Sequence, residues 1–356
     1  MNRIQNLTGV RAYAALWVVA LHTQMQGIGK SGWMGVDIFF VLSGLVLSLV
    51  YVKKLPPSFD WLWYCNFLYR RIAKIYPLHI ITFCAVAAML LVGRHFHYQS
   101  VSKPEYTLWS AICNILMLHS LGLTHLPSWN TLSWSVSAEW FAYSVLFAPM
   151  VFMLRRVSIV YVALLASALW ISVLLLAAFV LKTPMGGLTT NGVLRIIPEF
   201  TAGYLLFRVL HARTFLQGDL GAGAGILLVM AAASYPERCI WLLLPGTLIL
   251  LGGLYSGGPL SDKIFGNRVV VLLGDASYSI YLMQTFILVL THLIIRRIHL
   301  PESTPIALLE IGCVALAGLL TFRYVEEPLR QALLKRFSEK ASSRKATSIT
   351  SPPALV

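Results

Sequence analysis

The sequence predicts an all-α fold: a polytopic integral membrane helix bundle of about ten transmembrane helices, with both termini cytoplasmic. Three observations carry this. Of 356 residues, 58% are hydrophobic and 12% charged, and the mean hydropathy is +0.73, a balance that one water-soluble core of this size does not conceal. The apolar residues fall in runs of the roughly 17–25 residues that a helix needs to cross a hydrocarbon core. Lysine and arginine are unequally shared between the two sides those runs create. Disorder is excluded for most of the chain. A disulfide scaffold is excluded too, because the five cysteines (Cys65, Cys84, Cys113, Cys239 and Cys313) are odd in number and show no CxxC or zinc-like spacing. They are expected to be buried free thiols, and no metal is expected. The net charge of +14 reads as an orientation signal rather than as a nucleic-acid footprint.

The first span is placed at 7–23 and is expected to be retained, because Arg11 interrupts its apolar part and no small-residue cleavage pattern follows His22. A second span covers 33–52. The aromatic and then basic run FDWLWYCNFLYRRIAK, at 59–74, fits an amphipathic helix on the inner surface, followed by a third span at 75–92. The stretch 108–123 is short and carries Asn114, His119 and Ser120, so it is expected to lie along the interface. Further spans are placed at 136–154, 157–181, 193–210, 216–235, 239–254, 276–295 and 304–325. With the N-terminus inside, more than twice as many Lys and Arg residues face the cytoplasm as face outward, counting those of the tail. Residues 1–337 form the transmembrane domain, and 338–356 read as a disordered basic cytoplasmic tail.

An ionisable side chain within a span costs at least a few kcal/mol, so each needs a partner or a task. Arg11 and His22, eleven residues apart, return to within roughly 20° of one helix face, about 16 Å apart along the axis. Spans two, four, six and ten begin on the outer side in this topology. That puts Asp37, Glu139, Glu199 and Glu310 near the depth of His22, where a carboxylate can orient an imidazole. Arg195 and Glu199, at i and i+4, are expected to form a structural ion pair. Glu310 has no partner visible in the sequence. On the opposite surface Arg70, Arg71 and Lys74 fall on neighbouring turns. They serve equally as an inside-positive anchor or as a phosphate-binding cluster. The outer aromatics Trp109, Trp129, Trp134, Tyr98 and Tyr106 suit sugar stacking and the interfacial belt alike.

The runs LTGVRAYAALWVVALH, GWMGVDIFFVLSGLVLS, FLYRRIAKIYPLH, LSWSVSAEWFAY, RIIPEFTAGYLL, ASYSIYLMQ and YVEEPLR resemble, in order and across nearly the whole chain, the membrane-bound acyltransferase family 3. The resemblance implies an enzyme of the bacterial inner membrane. It would transfer an acyl group, commonly acetyl, from cytoplasmic acyl-CoA to a hydroxyl of a surface glycan, an antibiotic or another small molecule. It implies that Arg11 and His22 form the family's first-helix pair, that Arg70 and Arg71 match its CoA-engaging basic motif, that Asp37 and Ser43 stand in its second-helix motif, and that Glu139 stands in its WS-then-Glu motif. Two positions depart from the pattern: Lys74 replaces a usual arginine and loses the bidentate fork, and Gln284 stands where many relatives place a histidine. The soluble esterase-like domain of some relatives is not expected.

The resulting expectation is a membrane O-acyltransferase without a permanently bound cofactor. His22 is the general base, Glu139 or Asp37 stabilises its imidazolium, and Trp134 and Ser135 lie against the substrate. Arg11, Arg70, Arg71 and Lys74 hold the phosphates of acyl-CoA, with acetyl-CoA the expected donor, and a cavity crosses much of the membrane. A glycan or lipid-linked sugar is the expected acceptor, the lipid bilayer is a further partner, and no nucleic acid is expected. A covalent acyl-enzyme through Ser43 is a second route. A transporter or flippase of a lipid-linked sugar is the alternative from another class, since it too requires intramembrane charge.

Overall fold

A computed structural model describes residues 2–23, 25–95, 105–212, 218–299 and 303–350, and among these it contains helices and no strands. The first five helices are α1 (Asn2–His22), α2 (Met34–Tyr51), α3 (Trp61–His95), α4 (Leu108–Ile115) and α5 (Trp134–Phe141). A π turn (Ala142–Leu146) joins α5 to α6 (Phe147–Leu154), and α7 (Ile159–Leu175) ends in another π turn (Leu176–Leu181). Then come α8 (Gly192–Ala212), α9 (Gly218–Ser234), α10 (Pro236–Cys239), α11 (Leu243–Ser256), α12 (Pro259–Ile264), α13 (Arg268–Asp275) and α14 (Ser277–Arg297). Last, α15 (Thr304–Thr321) passes through a π turn (Phe322–Glu326) into α16 (Glu327–Thr350). The helix therefore enters the segment read from sequence as a tail, and residues 351–356 lie outside the described ones.

Among the described residues, seven helical stretches are long and apolar enough to cross a membrane. Helices α1 and α8 are not among them, although each has 21 residues and so a length of about 31 Å. They fall short on apolarity, and they are the helices that carry Arg11 and His22, and Arg195 and Glu199. The short α9 is apolar but has 17 residues.

Two sequence expectations are corrected. The interfacial helix at 59–74 and the third span are one continuous 35-residue helix, α3, running through Pro77. Proline is tolerated there because neighbouring helices can satisfy the freed carbonyl. Trp61 and Leu62 stand exposed at its start. The stretch 108–123 does stay out of the crossing set: α4 has eight residues and rises only about 12 Å. Of the cysteines, all free, Cys113 is buried whereas Cys65 and Cys84 are exposed.

In a bilayer, helices associate through close packing rather than through expulsion of water, so small residues mark the tight crossings. Helix α2 lies along α8 at such a crossing. A β-carbon on Gly44 would collide with the Phe200 carbonyl, and one on Gly203 with the Val41 carbonyl. Gly44→Ala is therefore expected to force the pair apart at a cost of about 1–3 kcal/mol, seen as a lower thermal unfolding midpoint in detergent. An unchanged midpoint would contradict this packing. The same crossing carries Asp37 and Arg195 toward each other.

Candidate active site

A cleft of about 50 Å³ opens between α1, α2, α5 and α14, lined by Arg11, Phe39, Ser135, Glu139, Ser277 and Tyr281, among others. The helical repeat selects its walls: Val36, Phe39 and Phe40 share one face of α2, and Asp37, turned about 100° from Val36, faces away. On α5, Ser135 and Glu139 are four residues apart and stack on one face in the same way. The π turn after Phe141 follows directly, a distortion that recurs at functional sites.

At one end of the cleft, Arg11 donates from Nε to the Ser277 hydroxyl at 3.2 Å and lies over the Phe39 ring, 5.7 Å from its centroid. Glu139 accepts from the Ser43 hydroxyl at 2.6 Å and from the Tyr143 hydroxyl. Arg71 reaches the same network from α3. It donates to the Tyr51 hydroxyl at 2.9 Å and lies over the rings of Tyr51 and Tyr143, at 5.3 and 5.9 Å. Lys74, one turn on, has Arg11, Glu326, Arg71 and Glu139 as its charged neighbours. Arg70 points elsewhere and is exposed. The basic motif thus divides: Arg71 and Lys74 join Arg11 beside the cleft, and Arg70 does not. Asp275, in the connecting helix α13, borders the same group. Burial pushes its carboxyl up, against the pull of Arg11 and Lys74.

At the other end, Ser135 donates to the Tyr281 hydroxyl at 2.8 Å, and Tyr281 donates to the Leu132 carbonyl at 2.7 Å. Trp134, expected against substrate, is 7% exposed and does not line the cleft. It packs edge-on to Phe40 and under the Arg195 guanidinium, 4.9 Å from the ring centroid.

His22 ends α1, and its side chain is exposed in the protein. Its Nδ1 lies 2.8 Å from the Val18 carbonyl. A carbonyl only accepts, so Nδ1 carries the proton and Nε2 keeps its lone pair. The expected contact with an acid is not made. The described partner of His22 is Val18, while Glu139 is bound to Ser43 and Tyr143, and Asp37 to Arg195. His22 also stands apart from the cleft lining, so the expected cavity from the cations to the imidazole is not what this cleft provides.

The pairing expected between Arg195 and Glu199 is corrected as well. Arg195, fully buried, takes both Asp37 oxygens: Nη2 lies 2.8 Å from each, and Nε 3.2 Å from Oδ1. Trp33 and Trp134 sandwich it, at 5.4 and 4.9 Å. Planar bidentate geometry across the α2–α8 crossing outcompetes the flexible i, i+4 contact. Glu199 is left buried against the Asp37 carboxylate and near Arg195, without an ion pair of its own to the arginine. Glu310 does find partners, both on α14: the Thr291 hydroxyl at 2.8 Å and His292 Nε2 at 3.1 Å.

Sequence reasoning missed Glu326, Tyr143 and Tyr281. Glu326 is 4% exposed, holds the Ser279 hydroxyl at 2.7 Å and neighbours Lys74. Its intramembrane charge within the run YVEEPLR was the available signal. The stacking of two imidazoles was also missed. His79 and His119 stack 6.2 Å apart in the core, and His119 is tied to Ser133 at 3.1 Å. Burial holds His119 neutral, pushing it down to about 3, which suits a strut under the start of α5. No group of three or more metal-ligating side chains occurs among the described residues.

Compared with known proteins, residues 4–324 match a family model described as an acyltransferase domain. An acyltransferase called MdmB from Streptomyces mycarofaciens is 25% identical over 94% of this chain and 93% of its own length. The O-acetyltransferase OatA of Staphylococcus aureus is 20% identical over 94% of this chain, which spans 58% of that relative. A protein of Rhizobium radiobacter named protein 2 in the picA locus is 38% identical, over 24% of this chain and 44% of its own. No solved structure matches.

Proposed function

The chain belongs to acyltransferase family 3, and on that footing we propose that it moves an acyl group, acetyl in the first instance, from cytoplasmic acyl-CoA to a hydroxyl of a surface or exported glycan. In this reading α1, α8 and α9 complete about ten crossings with both termini inside, and the membrane is the bacterial inner one.

The observation that carries the proposal is the gathering of Arg11, Arg71 and Lys74 from two helices at one end of a cleft. Like charges brought together within a bundle repel, and a polyanion offsets that cost better than isolated carboxylates can. The phosphates of acyl-CoA fit this demand, with Arg70 at the exposed approach. The thioester then has to travel toward His22, about 16 Å along α1. A cleft of about 50 Å³ does not hold the arm that carries it, so donor binding parts the walls at Ser135, Glu139 and Tyr281.

The acceptor O–H gives its proton to His22 Nε2 as its oxygen attacks the thioester carbonyl. Collapse breaks the C–S bond, and the leaving thiolate takes the proton back, giving an ester and free CoA. The Ser135 and Tyr281 hydroxyls, which here donate to the Tyr281 oxygen and the Leu132 carbonyl, turn from those acceptors to meet a developing oxyanion. Glu139, held by Ser43 and Tyr143, sets the charge of the cation cluster rather than the angle of the imidazole. Asp37 acts through Arg195 on the placement of α5. Direct transfer is favoured because Ser43 does not line the cleft, although its bond to Glu139 is the contact with a base that an acyl-enzyme would require.

The test uses purified protein in vesicles with labelled acetyl-CoA. Consumption of acetyl-CoA coupled to ester formation on glycan acceptors supports transfer, and acceptor movement without acetyl-CoA consumption supports a transporter instead. Label retained on denatured protein without acceptor would replace direct transfer by an acyl-enzyme. Arg71→Ala is expected to raise the KM for acetyl-CoA about tenfold or more, the value of one charge-assisted contact, with a smaller change in kcat. An unchanged donor KM rejects the phosphate assignment.

A further inference from the structure

A second and larger cavity lies elsewhere. About 730 Å³ lies at the His22 end of the bundle, within the range of ligand pockets. Its walls are Leu21 of α1, Trp33, Leu174 and Ala178 of α7 and its π turn, Met185 and Ile240. Apart from the Trp33 indole, its polar side chains are Thr183 and Glu237.

The local backbone keeps this space open. The π turn at Leu176–Leu181 closes at Lys182 in the left-handed region, φ 48°, and the Thr183 amide returns to the Ala177 carbonyl at 3.0 Å. That arrangement presents Ala177 and Ala178 to the cavity. Gly186 lies flat on the Trp33 ring, where an added β-carbon would stand 3.0 Å from it. Ala178 and Phe179 are exposed, as is Leu175, so the cavity opens sideways toward lipid.

We infer that this groove holds the hydrocarbon chain of the acceptor, a prenyl- or alkyl-linked glycan, with its polar head at His22. The inference rests on the reading of His22 as general base and deepens it. Leu21, in the wall, immediately precedes that histidine. Glu237 at the same cavity supplies an acceptor for sugar hydroxyls. Trp33 has the groove on one side and Arg195 within 5.4 Å of its ring centroid, and Arg195 in turn covers Trp134, next to Ser135. A chain in the groove therefore presses on the stack that positions the cleft wall. The donor is excluded as occupant because its cation cluster lies at the far end of α1's polar face.

Photoaffinity labelling in nanodiscs tests this with two probes: a farnesyl glucoside carrying a diazirine in its chain, and a phosphatidylglycerol carrying the same diazirine in one acyl chain. The glycoside is expected to label peptides within 174–187, and Ala178→Trp, at an exposed position that fills the groove, to cut that labelling about tenfold. Leu227→Trp, on the exposed face of α9, should leave it unchanged. His22→Ala should also leave it unchanged while losing transfer, which separates failure of the groove from failure of the base assignment. The inference is overturned if Ala178→Trp leaves glycoside labelling intact, or if the phospholipid labels the same peptides equally and excess unlabelled glycoside does not displace it.

Discussion

Replacing His22 by alanine is expected to lower acyl transfer by about 10² to 10⁴, the range that a positioned general base contributes, while leaving the protein folded in the membrane. The geometry explains why the effect should be confined to chemistry. The ring is exposed at the end of α1, and its one described bond runs to the Val18 carbonyl of its own helix. Its removal thus strands no buried charge and opens no core cavity. That same bond leaves Nε2 unprotonated, so a glutamine at 22, which cannot take up a proton, should be as inactive as alanine. Glu139→Gln should cost less than His22→Ala, since no described contact joins that carboxylate to the ring. Transfer rate per monodisperse protein in detergent is the measurement. Activity near wild type in His22→Ala removes the histidine from the mechanism.

The second large effect concerns folding. Arg195 and Asp37 are buried to 0% and 2% exposure and bound through both carboxylate oxygens. Removing one partner leaves the other as an uncompensated charge, at a cost of about 3–5 kcal/mol. Arg195→Leu and Asp37→Leu are each expected to unfold well below wild type in detergent thermal melts. The double variant Asp37→Leu/Arg195→Leu should recover much of the loss, because two well-packed apolar side chains can replace a buried ion pair. Single variants that melt with wild type, or a double variant that loses the sum of both, would show the pair to be uncoupled from stability. Recovery of stability without full recovery of transfer would locate the remaining defect in Trp134, which Arg195 covers, and in the helix that carries Ser135 and Glu139.

The apolar runs and the seven ordered motifs made the class of fold and the family legible without coordinates, because both are properties of local stretches of chain. Arg11, Glu139 and Ser135 were identifiable as intramembrane or motif residues, and they do share a cleft. The partners of Asp37 and Glu139 were not legible. Sequence spacing reports only neighbours on the same helix, and so favoured Arg195 with Glu199. The sequence reading counted α1 and α8 as spans, whereas seven described stretches qualify by length and apolarity, because these two helices are diluted by the polar residues they carry. The basic run ending at Lys74 suggested a break between a surface helix and a span, which the bundle bridges with one continuous helix running through Pro77.

By itself the sequence determined that this chain enters a membrane as helices, where its polar exceptions lie along each helix, and which family it joins. Hydrophobic length and periodicity are set residue by residue and need no partner. Only the tertiary structure decided which polar groups meet. The glycine-lined α2–α8 crossing gives Asp37 to Arg195, the face of α5 gives Glu139 to the arginine end of the cleft, and His22 is left with a backbone carbonyl. Those choices depend on the crossing and rotation of helices distant in the chain, which are fixed by packing between them rather than by anything within one helix.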